Sequence, residues 1–66
     1  MSKNEIKNLK EANRFHSKFL ADKHGDEYFI SEILGVGNDE DGEFFIASTI
    51  DMHNQRGGRK FYFNHI

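Results

Sequence analysis

The sequence predicts an α+β fold in two layers, an αβββ arrangement with one N-terminal helix packed on a three-stranded antiparallel meander. Three observations predict it. Apolar residues recur at helical spacing through the first third of the chain. After Glu27 they gather into short aromatic and β-branched runs bounded by Gly and Asp clusters. The apolar residues of those runs can also be brought to one face with matching parity across each turn. Of 66 residues, 36% are hydrophobic and 30% charged, which supplies one small core and not two, so residues 1–66 read as a single domain.

The helix comes first. Ser2 is placed to cap it, Glu5 to close a capping box, and Met1 and Ile6 to staple its entry. At 100° per residue Ile6, Leu9, Ala12, Phe15, Phe19 and Leu20 share one half of the wheel, so the helix is expected over residues 3–24, with Gly25 ending it. Strands follow at about 28–36, 43–55 and 59–66, although DEYFISEIL also suits a short helix. An acidic loop, Gly37 to Gly42, joins the first two, and Gly57-Gly58 reads as a tight turn joining the last two.

A two-residue turn at Gly57-Gly58 pairs Met52 with Phe63, Ile50 with His65 and Asn54 with Phe61. Phe44, Ile46, Ile50, Met52, Phe61 and Phe63 then face the helix, opposite Val36, Leu34 and Ile30, with Glu32 and Ser48 as a polar pair among them. The other face carries Phe29, Ile33, Phe45, Ala47, Tyr62 and Ile66 with no second helix to cover them, which marks an interface.

Several function classes are disfavoured by composition. Without cysteine there is neither a disulfide framework nor a thiolate metal site. No apolar run approaches a membrane span and residues 1–10 lack a signal-peptide core, so no membrane partner and a cytoplasmic location are expected. Asp39-Glu40-Asp41-Gly42 fails as a calcium loop, because alignment on Gly42 puts Gly37 and Ser48 at ligand positions. No phosphate-cradling glycine loop is present. His16 falls in the middle of the apolar helix face, where Glu32 or Ser48 would partner it, and His24 lies too far along the axis to share a metal with it. One catalytic constellation can be assembled, His53, Arg56, Arg59 and Tyr62 on the last hairpin, suited to metal-independent phosphodiester cleavage, but a flat ribbon offers it no pocket. No enzymatic activity, metal or cofactor is expected.

Charge is blocked along the chain. Residues 1–25 hold six Lys/Arg against three Asp/Glu, residues 26–51 none against eight, and residues 52–66 three against none. The acidic middle block, with Asp39, Glu40, Asp41 and Glu43 at its loop, calls for a basic partner. The leading expectation is therefore a non-enzymatic protein-binding module. It would meet a protein with a basic surface through Phe29, Ile33, Phe45 and Tyr62 and through those four acids. Its small size, Asn/Lys/Glu-rich surface and blocked charge are similar in general character to phage or mobile-element inhibitors of the anti-CRISPR and anti-restriction kind. That resemblance implies occlusion, or acidic mimicry, of a host nucleic-acid-handling protein. The alternative is a nucleic-acid-binding domain. Lys3, Lys7, Lys10, Arg14 and Lys18 would form a stripe within about 80° of helix arc, joined by Arg56, Arg59 and Lys60 on the last hairpin. A third reading is a homodimer through the uncovered sheet face.

Overall fold

The computed structural model describes residues 3–22 and 24–66. Helix α1 (Lys3–Asn13) is followed by four strands, β1 (Phe19–Ala21), β2 (Glu27–Asp39), β3 (Gly42–Ile50) and β4 (Arg56–Tyr62), and by a short 3-10 turn, Phe63–His65. The strands form one antiparallel sheet in chain order, β1-β2-β3-β4. The α+β class and the meander stand, and the strand count is corrected from three to four.

The extra strand comes out of the expected helix, which ends at Asn13 and not at residue 24. Arg14, Phe15 and His16 donate to carbonyls three residues back, tightening the last turn, and Ser17 takes a left-handed φ of 61°. Ser17 N then donates to Ile30 O (2.7 Å), and Ile30 N donates to Lys18 O (2.8 Å). These bonds and the Phe19–Ala21 pairing satisfy an edge of β2 that a longer helix would leave unpaired. Phe19 and Leu20 consequently point to opposite faces, which a strand allows and a helix does not. The expected Ser2 cap and the Met1 side of the staple lie outside the described residues.

The three hairpins share one device, an Asp at the first position whose Oδ1 accepts the backbone N–H two residues on. Asp22 takes His24 N and Asp26 N, Asp39 takes Asp41 N, and Asp51 takes His53 N and Gln55 N. The β1–β2 and β3–β4 loops have the same build, with Gly25 (φ 86°) and Asn54 (φ 61°) as the left-handed fourth residue. Gly57-Gly58, expected as a turn, lies inside β4 because the turn is already made at Asp51–Gln55.

That shift changes the register. Phe44 pairs with Tyr62, Phe45 with Phe61, Ala47 with Arg59 and Ile50 with Arg56. In β2 the partners are Ile30 with Thr49, Glu32 with Ser48, Ile33 with Ala47 and Val36 with Phe45, with irregularities between Ile30 and Glu32 and between Ile33 and Gly35. The expected Glu32/Ser48 pair is present. Each bulge adds one residue to β2, so Ile30, Ile33 and Val36, three apart in sequence, meet β3 residues two apart and share a face. Ser31 Oγ donates to Ser48 O (3.0 Å) across the first bulge, restoring a bond to a ladder interrupted there.

The core therefore takes Ile33, Phe45 and Ala47 from the face expected to be uncovered, keeps Ile30, Val36, Phe61 and Phe63 inward as expected, and turns Phe44, Ile46 and Ile50 to the other face. Phe45, Ala47 and Ile30 are fully buried with Ala12, alongside Tyr28 and Phe61, and Phe15, Leu20, Ile33, Val36 and Phe63 pack around them. Phe45 lies at its centre, 5.7 Å from the Phe15 ring, 5.3 Å from Phe61 and 5.5 Å from Phe63. The sheet curls about this cluster, bringing Tyr28 of β2 against Phe61 of β4 at 6.4 Å with β3 between them. Met52, expected inside, is 84% exposed in the β3–β4 loop.

Candidate functional site

The convex face of the sheet, opposite the helix, can be read row by row from the register. Phe19, Phe29, Ile50 and Arg56 form the first row; Glu32, Ser48 and Gly58 the second; Gly35, Ile46 and Lys60 the third; Gly37, Phe44 and Tyr62 the fourth. The first and third rows leave apolar surface open, since Phe19 is 71% and Ile46 38% exposed, with Phe29 and Ile50 half-buried beside them. Phe19 meets Phe29 edge to face at 5.3 Å, so the two rings form a single raised aromatic ridge. Leu34, the residue added at the second bulge, is 58% exposed.

The fourth row is closed. The Phe44 ring lies over Gly37, where a Cβ would come within 2.8 Å of its Cζ, so a side chain at Gly37 would displace it. Tyr62 meets the same ring edge-on at 5.7 Å, and Lys60 Nζ sits 4.3 Å from its centroid. Above them Tyr62 Oη donates to Asp39 Oδ2 (2.6 Å), and Lys60 Nζ reaches the same oxygen at 3.3 Å. The Tyr62 hydrogen bond, with the Asp41 N–H and Lys60, holds the Asp39 carboxyl below the usual carboxylate range. The bond to Asp39 pushes both the Tyr62 phenol and the Lys60 ammonium up. Asp39 thus joins the β2–β3 tip to β4, which it reaches across β3.

This geometry separates the residues expected to bind protein. Phe29 and Tyr62 lie on the convex face, Ile33 packs against the core, and Phe45 is fully buried, so Phe45 presents no surface to a partner. Among the acids, Asp39 is held by Tyr62 and Lys60, and Glu43 Oε2 accepts from Asn8 Nδ2 of the helix (2.8 Å). Glu40 and Asp41 remain exposed at the tip. The contributors missed by sequence reasoning are Phe19, Ile46 and Ile50. The repeated pattern of Asp22-Lys23-His24-Gly25-Asp26 and Asp51-Met52-His53-Asn54-Gln55 would have located both hairpins and hence the parity.

The basic residues do not gather into one track. Lys3, Lys7 and Lys10 lie on α1, Arg14 follows it and pairs with Glu11 (3.4 Å), and Lys18 lies beyond the turn, so the stripe ends one residue past the helix. On β4, Lys60 and Arg56 take the convex side and Arg59 the concave side, its guanidinium 4.1 Å from the Tyr28 ring centroid. The histidines are also displaced from expectation. His16 is exposed, with Nδ1 3.0 Å from Ser17 Oγ, because the helix ends before it. His24 lies in the β1–β2 loop, and His53 lies in the β3–β4 loop, the opposite end of β4 from Tyr62. The His53, Arg56, Arg59 and Tyr62 constellation is not assembled. Among the described residues no group of three His, Asp or Glu could hold a metal, and no helix is long and apolar enough to cross a membrane.

No protein-family model matches the chain, and neither a curated protein nor a solved structure matches it.

Proposed function

We propose that this protein is a non-enzymatic protein-binding module that meets its partner with the convex face of the sheet. The observation that carries this reading is the ridge Phe19–Phe29, continued by Ile50 and Ile46, which no element covers among the described residues. A small domain that places this much aromatic surface outward gains by burying it, and an apolar centre with a polar rim is how a stable interface is built. The rim is acidic on the β2 side, where Glu27 and Glu32 share the convex face and Glu40 and Asp41 project from the tip. The fitting partner is a protein with a basic surface, and the action is occlusion of that surface, as an inhibitor of a nucleic-acid-handling protein would exert it. With Asp39 and Glu43 engaged inside the molecule, acidic mimicry rests on Glu40 and Asp41 alone.

The test is capture of partners from host extract by tagged protein, with and without nuclease, comparing the native chain with Phe19→Ser/Ile46→Ser and with Glu40→Ser/Asp41→Ser. A stoichiometric protein that survives nuclease, is lost with the first variant and is weakened by the second supports the reading. A partner retained by both variants, or nucleic acid recovered in its place, refutes it.

A further inference from the structure

We infer that β4 is an open docking edge for a second kind of partner, an extended acidic segment of another protein added as a fifth strand. The inference is independent of the convex face. In an antiparallel pair the backbone groups of successive residues point alternately toward and away from the neighbouring strand. Asp51 N donates to Gln55 O (3.0 Å), which makes that pair a bonded one and sets the alternation along β4. Gly57, Arg59 and Phe61 therefore spend their N–H and C=O groups on Thr49, Ala47 and Phe45, whereas Gly58, Lys60 and Tyr62 turn theirs away from β3. Among the described residues only the Phe63–His65 turn, which starts on the Tyr62 carbonyl, bonds to that outer row.

Proteins usually block such an edge with charged side chains, and β4 carries Arg56, Arg59 and Lys60. Two of the three are held off it. Lys60 is drawn onto the convex face by Asp39 and the Phe44 ring, and Arg59 onto the concave side by Tyr28. Gly57 and Gly58 add no side chain, and a Cβ built at Gly57 meets nothing within 4 Å. The bare edge also borders a cleft of about 330 Å³, lined by Gly58, Arg59, Lys60, Phe61 and Tyr62 of β4, by Ala21, Asp22 and His24, and by His65 and Ile66 beyond the strand's end. This is the gap that the curled sheet leaves between its first and last strands.

Charge selects the occupant. Residues 52–66 contain three cations and no Asp or Glu, and although Lys60 is paired with Asp39, Arg56 and Arg59 have no carboxylate partner among the described residues, so a strand bearing Glu or Asp finds opposite charge along β4. A second copy joined β4 to β4 about a two-fold axis would add the same three cations from the facing strand, an arrangement that like charges oppose.

The probe is a capped seven-residue peptide of alternating Glu and Val, titrated into isotope-labelled protein and followed by amide NMR and hydrogen exchange. Binding is expected to slow exchange at Gly58, Lys60 and Tyr62 by about tenfold or more, leaving the Phe19 and Ile46 amides unchanged. The same peptide N-methylated at alternate residues, and a Lys/Val version, should both fail to bind. Gly58→Pro should abolish binding with the circular dichroism spectrum retained, because its N–H is outside the β3 ladder. Should that variant unfold, the N-methylated peptide against native protein still decides. Absence of Glu/Val binding, equal binding of the methylated or the Lys/Val peptide, or shifts confined to the convex face overturns the proposal. Protection of the same amides in peptide-free protein that scatters light as a dimer overturns it too, by making a second copy the occupant.

Discussion

Replacing Phe45 tests which face of the sheet is the inside. Its side chain has no exposed surface and touches three aromatic rings, those of Phe15, Phe61 and Phe63. Truncating so buried a Phe to Ala costs about 3–5 kcal/mol, the lost transfer energy plus the cavity left behind. At about 0.05–0.15 kcal/mol per residue, a chain of 66 residues holds roughly 3–10 kcal/mol in total. Phe45→Ala should therefore remove at least about a third of that stability, and all of it at the low end of the range, whereas Phe45→Leu, which keeps most of the volume, should cost about 1–2 kcal/mol. Ile46 is the control, one residue along on the opposite face and 38% exposed, where truncation to Ala should cost about 1 kcal/mol. Urea unfolding followed by far-ultraviolet circular dichroism measures all three, with stability read from the midpoint at constant slope. If Ile46→Ala proves more damaging than Phe45→Leu, the register is wrong by one residue and the reasoning fails.

The left-handed Asn54 should tolerate Gly and resist Ala: Asn54→Gly should lie within about 0.5 kcal/mol of native, whereas Asn54→Ala should lose about 1 kcal/mol, and thermal unfolding separates them. The Asp39 cluster should limit stability at both ends of the pH scale. The depressed carboxyl contributes fully above its unfolded value and loses that contribution as pH falls below about 4, while the raised Tyr62 and Lys60 contribute below about pH 10 and lose it as pH rises through their folded values. In Asp39→Asn the melting temperature should respond less to pH at both extremes and Tyr62 should ionise at lower pH, which tyrosinate absorbance reads; an unchanged Tyr62 titration would show the hydrogen bond to be absent in solution.

The existence of the β2–β3 hairpin and its Glu32/Ser48 pair were legible because two apolar runs flank an Asp- and Gly-rich segment, although β2 runs on to Asp39 through the expected loop and β3 ends at Ile50 and not near residue 55. The buried face was not, for two reasons. Gly57-Gly58 is a strong local turn signal, but the turn is made at Asp51–Gln55, which changes the register by an odd number of residues, so Phe61 and Phe63 stay inward while β3 turns in Phe45 and Ala47 in place of Phe44, Ile46 and Ile50. The spacing of Ile30, Ile33 and Val36 fits a helix as well as a strand, and only the bulges reconcile it with a sheet. β1 was hidden for a tertiary reason, since Phe19 and Leu20 continue the helical period and leave it only because the edge of β2 needs partners. The convex site inherits these errors: Tyr62 and Phe29 were placed correctly, and Phe45 was exchanged for its neighbour.

The two bulges also set the shape of the whole domain through a difference in length. Between the Ile30/Thr49 and Val36/Phe45 pairs β2 takes six steps and β3 four, an excess of roughly 7 Å of chain at about 3.4 Å per residue. Two strands of unequal length fastened at both ends cannot lie flat, and bending takes up the surplus. Removing Ser31 and Leu34 together would leave Phe29, Ile30, Glu32, Ile33, Gly35 and Val36 in strict alternation, with every side chain still on its present face. Such a strand would keep the composition of the core while relaxing the arch that folds β4 back toward β1. The width of the gap between the sheet's two ends is thus written in two residues that touch neither of them.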